Sequence, residues 1–196
     1  MLLDKRLVVV DFEYTCPFAA AEHNVPPEII EIGAILIDYD AREIDRFSSL
    51  VCPTREDHLT DSILNFTGID RDDVLSAPKW ADIWKEFTEL TRYKSIKLAA
   101  WSAYGDIAAL KETYRLAGLG FPHNGNVLCL LSMVYGILSM RKSRPRSWKL
   151  NDVCKHVGVE RGEKHRALAD AEDTVKLLRA LDNYDEEEQE FKIELL

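Results

Sequence analysis

The chain has 196 residues, 46% of them hydrophobic, enough to bury one sizeable core and form a single domain. A net charge of −9 argues at first against a polyanionic partner, because phosphate binding draws on Lys and Arg. The charge is unevenly spread, however: residues 182–196 form an acidic tail of net −6, leaving −3 on 1–181, and Arg141 to Lys149 holds five basic residues and no acid. A nucleic-acid partner therefore stays open.

The four cysteines, at 16, 52, 129 and 154, form no C-x-x-C pair and have no histidines at zinc-finger spacing. They read as reduced thiols, so a cytoplasmic location is expected. The start lacks a basic segment followed by a long apolar one. The most apolar internal stretch, Val127 to Leu138, is broken by Ser132 and Gly136 and falls short of the roughly 20 residues of a membrane span. Neither secretion nor membrane insertion is expected.

In chain order, Arg6 to Phe12 is a β-branched apolar run ending in acids, and Ile29 to Ile37 and Ile44 to Val51 are similarly strand-like. They predict three early strands, antiparallel neighbours. A Thr/Asp/Ser cluster from Thr60 precedes a short helix ending at Thr67-Gly68, and Lys79 to Tyr93 places Trp80, Trp84, Phe87 and Leu90 at helical spacing for core packing. Ile96 to Trp101 predicts a fourth strand, followed by a helix from about Asp106 with Ile107, Leu110 and Tyr114 on one face. Asn126 to Leu130 predicts a fifth strand running into a helix that ends near Met140.

Beyond the basic loop, Ser147 to Val157 reads as a helix stopped at Gly158, and a last helix from about Arg166 to Leu181 turns Leu168, Ala171, Val175 and Leu178 inward. The expected fold is α/β, with a mixed central sheet of about five strands flanked by helices over residues 1–181. In the tail, Phe191, Ile193, Leu195 and Leu196 alternate as in a terminal strand or clasp.

Asp11 and Glu13 lie two residues apart at the end of an apolar strand, so both carboxylates project from one face and Phe12 from the other. Like charges so close suit a divalent cation or a shared proton. With 34 acids in the chain, about six such pairs arise by chance, so the strand context carries the signal. Asp106 follows a strand and a short loop at a helix start, where it would otherwise serve as a first-turn acid facing the helix dipole. His165 and Asp170 are five residues apart, about 140° around a helix, so they meet only if His165 precedes the helix and Asp170 lies in its first turns.

Taken together and in order, these segments resemble the DEDDh branch of the DnaQ-like exonuclease superfamily, which has a ribonuclease H-like fold. The resemblance spans roughly residues 6–181 and rests on Val8-Val9-Val10-Asp11-Phe12-Glu13, Trp101-Ser102-Ala103-Tyr104-Gly105-Asp106 and His165-Arg166-Ala167-Leu168-Ala169-Asp170. A finer similarity, to exoribonucleases related to histone-mRNA 3′-end nucleases, rests on Asp11 through Pro17, Ile30-Glu31-Ile32-Gly33-Ala34 and Thr67-Gly68-Ile69. At Tyr14 a ring stands where that subgroup usually has alanine, beside the scissile nucleotide.

The resemblance implies a two-metal 3′→5′ exonuclease that releases 5′-nucleoside monophosphates from single-stranded RNA or DNA 3′ ends, RNA favoured. It implies Asp11, Glu13, Asp106 and Asp170 as ligands of two Mg²⁺ or Mn²⁺, and His165 as general base. Tyr14, Thr15, Phe66 and Ile69 are the expected contacts for the terminal nucleotide, and Arg144 and Arg146 the cationic track. The alternatives are a DNA 3′→5′ exonuclease and, in another class, a catalytically silent nucleic-acid-binding module.

Overall fold

The computed structural model describes residues 3–16, 26–91, 97–122, 127–162 and 165–182. The expected alternation in the tail, at Phe191 to Leu196, lies outside the described residues.

The three early strands are β1 (Leu7–Tyr14), β2 (Ile29–Ile37) and β3 (Glu43–Leu50), joined antiparallel. The excursion after β3 carries α1 (Asp61–Thr67) and α2 (Arg71–Ser76) and leads into α3 (Trp80–Thr91). Next come β4 (Lys97–Ala100), α4 (Ala103–Leu116), β5 (Val127–Cys129) and α5 (Leu130–Met140). The last helices are α6 (Leu150–Val157) and α7 (Ala167–Asp182). One five-stranded sheet results, in the order β3-β2-β1-β4-β5, with β4 parallel to both β1 and β5.

Alternation along β1 divides the core. Val8, Val10 and Phe12 pack with Trp80, Phe87, Leu110 and Tyr114 of α3 and α4, whereas Leu7 and Val9 pack with Ala171, Val175 and Leu178 of α7. With both faces of the sheet covered, all nine residues of β2 are buried, which explains its near-continuous apolar run. The edge strand β3 is mostly exposed and polar.

Helix ends follow local chemistry. Thr60 caps α1, its side chain accepting from the Ile63 amide, and Gly68 closes the helix at φ 71°, a conformation open to glycine at little cost. The sequence reading missed α2, which Asp70 caps through the Asp72 and Asp73 amides; its six residues are too few to show periodicity. β1 runs to Tyr14, two residues past the expected end, and α4 starts at Ala103, three residues before Asp106.

Candidate active site

Two features of β2 bring α7 to the end of β1. A Cβ on Gly33 would lie 2.3 Å from the Leu168 amide nitrogen and 2.4 Å from the Ala167 carbonyl carbon, so the helix start rests directly on the strand backbone. Two residues earlier, buried Glu31 accepts from the Ala167 amide at 3.0 Å and from Arg166 Nη2 at 2.7 Å and Nε at 3.0 Å. A carboxylate at a helix N-terminus meets orphan amides and the positive end of the dipole, so Glu31 fixes both the origin and the direction of α7.

In the β1–β2 register Gly33 pairs with Asp11 and Glu31 with Glu13. Asp170, in the first turn of α7, therefore descends onto β1: carboxylate oxygens of Asp11, Glu13 and Asp170 all lie within 4.8 Å of one another. Asp106 enters from the opposite layer, in the first turn of α4, buried, with its carboxylate accepting a hydrogen bond from the Tyr14 hydroxyl.

The electrostatics are those of crowded acids. Burial, then Asp106, Asp170 and Glu13, push the Asp11 carboxyl well above the carboxylate range. Burial and the neighbouring Glu31 push Glu13 up to about 8. Burial raises Asp106 to about 6 despite the Tyr14 hydroxyl and the Ser102 amide, which favour its charged form. Burial also raises Asp170, against the pull of Arg161. Among the described residues, no side chain donates a hydrogen bond to Asp11 or Glu13. Of the three converging carboxylates Arg161 pairs with that of Asp170 only, and together they form a donor set suited to a hard divalent cation.

His165 sits just before α7, as its five-residue spacing from Asp170 requires, at φ 62°, a left-handed conformation in which histidine is enriched among non-glycine residues. Its ring lies 3.9 Å, centroid to centroid, from that of Phe66 on α1, which is 56% exposed. Phe66 thus lies against His165. Thr15 and Ile69, expected beside the terminal nucleotide, have enclosed side chains. Thr15 Oγ1 accepts from the Glu28 amide and its carbonyl from the Thr60 amide, while Ile69 packs with Ile63, Leu64 and Val74 beneath α1. Both support the helix that presents Phe66.

Arg144 and Arg146 are exposed but are not gathered into the carboxylate cluster. Their loop begins where Arg141 Nη1 reaches the Leu181 carbonyl, eleven residues along α7 from Asp170, about 16 Å of helix axis. The sequence reading missed Arg161, whose mostly buried guanidinium bonds Asp170 and, at 3.0 Å, Asp173. No periodicity or spacing marks it. Glu31 did leave a signal, a lone charge inside an apolar strand.

A mixed sheet with converging acids at the ends of β1, α4 and α7 defines a ribonuclease H-like hydrolytic nuclease. Residues 8–178 match the exonuclease (RNase_T) family, and the chain belongs to it. It is 28% identical over 177 residues to the probable 3′-5′ exonuclease KapD of Bacillus subtilis (strain 168), covering 90% of this chain and 84% of KapD. To the PolC-type DNA polymerase III of Halalkalibacterium halodurans it is 31% identical over 179 residues, 90% of this chain but only 11% of that polymerase.

Among solved structures, cell-death related nuclease 4 superposes with a TM-score of 0.78 at 17% identity, covering 91% of this chain and 64% of that one. The nuclease domain of 3′hExo, a DEDDh family member bound to rAMP, gives 0.76 at 20% identity, covering 91% and 92%. These likenesses establish the shared fold. Among the described residues no helix is long and apolar enough to cross a membrane.

Proposed function

We propose that this chain is a metal-dependent 3′→5′ exonuclease that removes 5′-nucleoside monophosphates from single-stranded nucleic acid, with RNA the favoured substrate. The observation that carries the reading is the convergence of Asp11, Glu13 and Asp170 within 4.8 Å, with His165 immediately before the helix that bears Asp170. The similarity to KapD supports the direction of attack, and the fold shared with the rAMP-bound nuclease domain of 3′hExo supports RNA.

With Asp106 added to the cluster of Asp11, Glu13 and Asp170, the donors would suit two Mg²⁺ or Mn²⁺ ions. Asp11 would be shared by both, Glu13 and Asp170 would complete the ion on the nucleophile side, and Asp106 would serve the ion on the leaving-group side, through water. Bound there, divalent ions supply charge neutralisation for the attacking and leaving oxygens of an in-line displacement. His165 would take the proton from the attacking water, and its position just before the turn of α7 that bears Asp170 supports that role. Phe66, exposed and against His165, offers a stacking face to the terminal base. Arg144 and Arg146, exposed and outside the carboxylate cluster, would meet an upstream strand rather than the terminal nucleotide. Residues 1–181 would make up the catalytic domain, with 182–196 as an acidic appendage.

A DNA substrate is the second reading, favoured by the similarity to PolC-type DNA polymerase III. The test is digestion of 5′-labelled single-stranded RNA and matched DNA with Mg²⁺, Mn²⁺ or chelator, beside an Asp11→Ala control. A metal-dependent ladder shortening from the 3′ end, absent in the control, is the expected result, and the faster polymer settles the sugar. No cleavage of either by folded protein with metal present would favour a silent binding module.

A further inference from the structure

We infer that Tyr14 is a positioning residue for Asp106, and through it sets the affinity of the second cation site; this rests on the exonuclease reading above. The four acids are not held alike. Asp11, Glu13 and Asp170 are drawn together by the β1–β2 register and by the approach of α7 at Gly33, whereas Asp106 lies outside that close group and comes from the opposite face of the sheet. The register between β1 and β2 slips between Glu13 and Tyr14, an irregularity of the kind that re-aims a side chain at the end of a strand. The Tyr14 ring packs against the core on the α3 and α4 side, and its hydroxyl crosses from β1 to the Asp106 carboxylate.

The Ser102 amide, just before α4, favours the charged form of Asp106, but the side-chain hydrogen bond that Asp106 accepts comes from a phenol on the strand that supplies Asp11 and Glu13. The phenol ties Asp106 to β1, which carries Asp11 and Glu13. A side chain with no hydroxyl at the ring's reach, alanine above all, leaves α4 and β1 without that link. A carboxylate offers about four acceptor sites, so Oδ1 can hold the phenol while the remaining capacity faces a cation or its water. The ring's length and its two torsions make the link stiff, which suits the placement of a ligand from a different layer of the fold.

Tyr14→Phe removes the hydroxyl and keeps the ring in the core, so the fold survives. The measurement is calorimetric titration of Mn²⁺ into the substrate-free full chain of wild type, Tyr14→Phe, Asp106→Asn and the double variant, with kcat and KM on a single-stranded oligonucleotide beside it. We expect wild type to take up cations at two sites. Tyr14→Phe should keep the first and weaken the second about tenfold, the scale of a hydrogen bond to a charged group. Its kcat should fall at low Mn²⁺ and recover at high Mn²⁺, with KM unchanged. In the Asp106→Asn background, Tyr14→Phe should add nothing, since both act on one site.

A Tyr14→Phe isotherm that overlays wild type, or an effect that persists undiminished with Asp106→Asn, would overturn the inference. A raised KM with unchanged cation binding would do the same, assigning the phenol to the nucleotide instead. Wild type that takes up no cation and cleaves nothing would sink the exonuclease reading itself, an outcome separate from these.

Discussion

Gly33→Ala tests the contact on which the carboxylate cluster depends. The new methyl would sit 2.3 to 2.4 Å from backbone atoms of Ala167 and Leu168, where ordinary contact begins near 3.4 Å. Neither neighbour is a flexible side-chain tip, so the first turn of α7 has to move out by about 1 Å, an overpacking that costs about 2 kcal/mol. For a chain of this size that is a fall in Tm of about 4 to 8 °C. The shift falls on the turn that bears Asp170 and on the Glu31 to Ala167 hydrogen bond, so cation binding weakens as well. A misplacement of about 1 Å in such a site costs on the order of a hundredfold in rate.

The paired control is Gly136→Ala in α5, where an added Cβ meets nothing within 4 Å. There the exchange removes glycine from a helix interior and should stabilise by about 0.5 to 1 kcal/mol. Thermal melting with chelator, Mn²⁺ titration and single-turnover cleavage read all three effects. A Gly33→Ala protein that melts, binds Mn²⁺ and cleaves like wild type would refute the argument that backbone contact at Gly33 places Asp170.

Three further outcomes follow from the same geometry. In chelator, Glu13 holds its proton in the folded state up to about 8, against 4.5 when unfolded, and Asp106 acts in the same direction at about 6. That contribution is fully present below the unfolded values and lost as pH rises through the folded ones. Tm in chelator should therefore fall between about pH 5 and 8, with Mg²⁺ stabilising strongly at the upper end and little at the lower; a flat chelator profile with no Mg²⁺ effect would contradict it. Phe66→Ala, at an exposed position, should leave stability within about 0.5 kcal/mol yet weaken single-strand binding about tenfold, measured by fluorescence polarisation. Replacing Arg144 and Arg146 together by Ala should weaken binding and reduce the slope of log K against log salt by about 1.4, and an unchanged slope would remove them from the strand's path.

The alternation of β1, the helical spacing of Trp80 to Leu90 and the inward stripe of α7 were all readable, because each is a local periodicity imposed by burying one face. So were Asp11 and Glu13 as neighbours on one side of a strand, and the need for His165 to precede the helix bearing Asp170. Glu31 was visible only as an anomaly in an apolar strand, and nothing local gave its partner. For Thr15 and Ile69, expected at the terminal nucleotide, the sequence did not show how far each side chain is enclosed. They stand beside active-site residues in sequence, yet their side chains turn into the protein, because burial depends on what packs above each position.

By itself the sequence determined the order and type of the main elements and the residues able to do metal-dependent chemistry, since both depend on spacing and side-chain class. Tertiary structure alone decided how the acids are held: α7 seated on Gly33, Glu31 fixed by Arg166, Arg161 gripping Asp170, and Tyr14 reaching Asp106 across 92 residues. The reason is physical. A periodicity is enforced within a few residues, whereas a hydrogen bond or a close backbone approach between distant segments exists only once the sheet and its two covering layers have fixed where each segment lies.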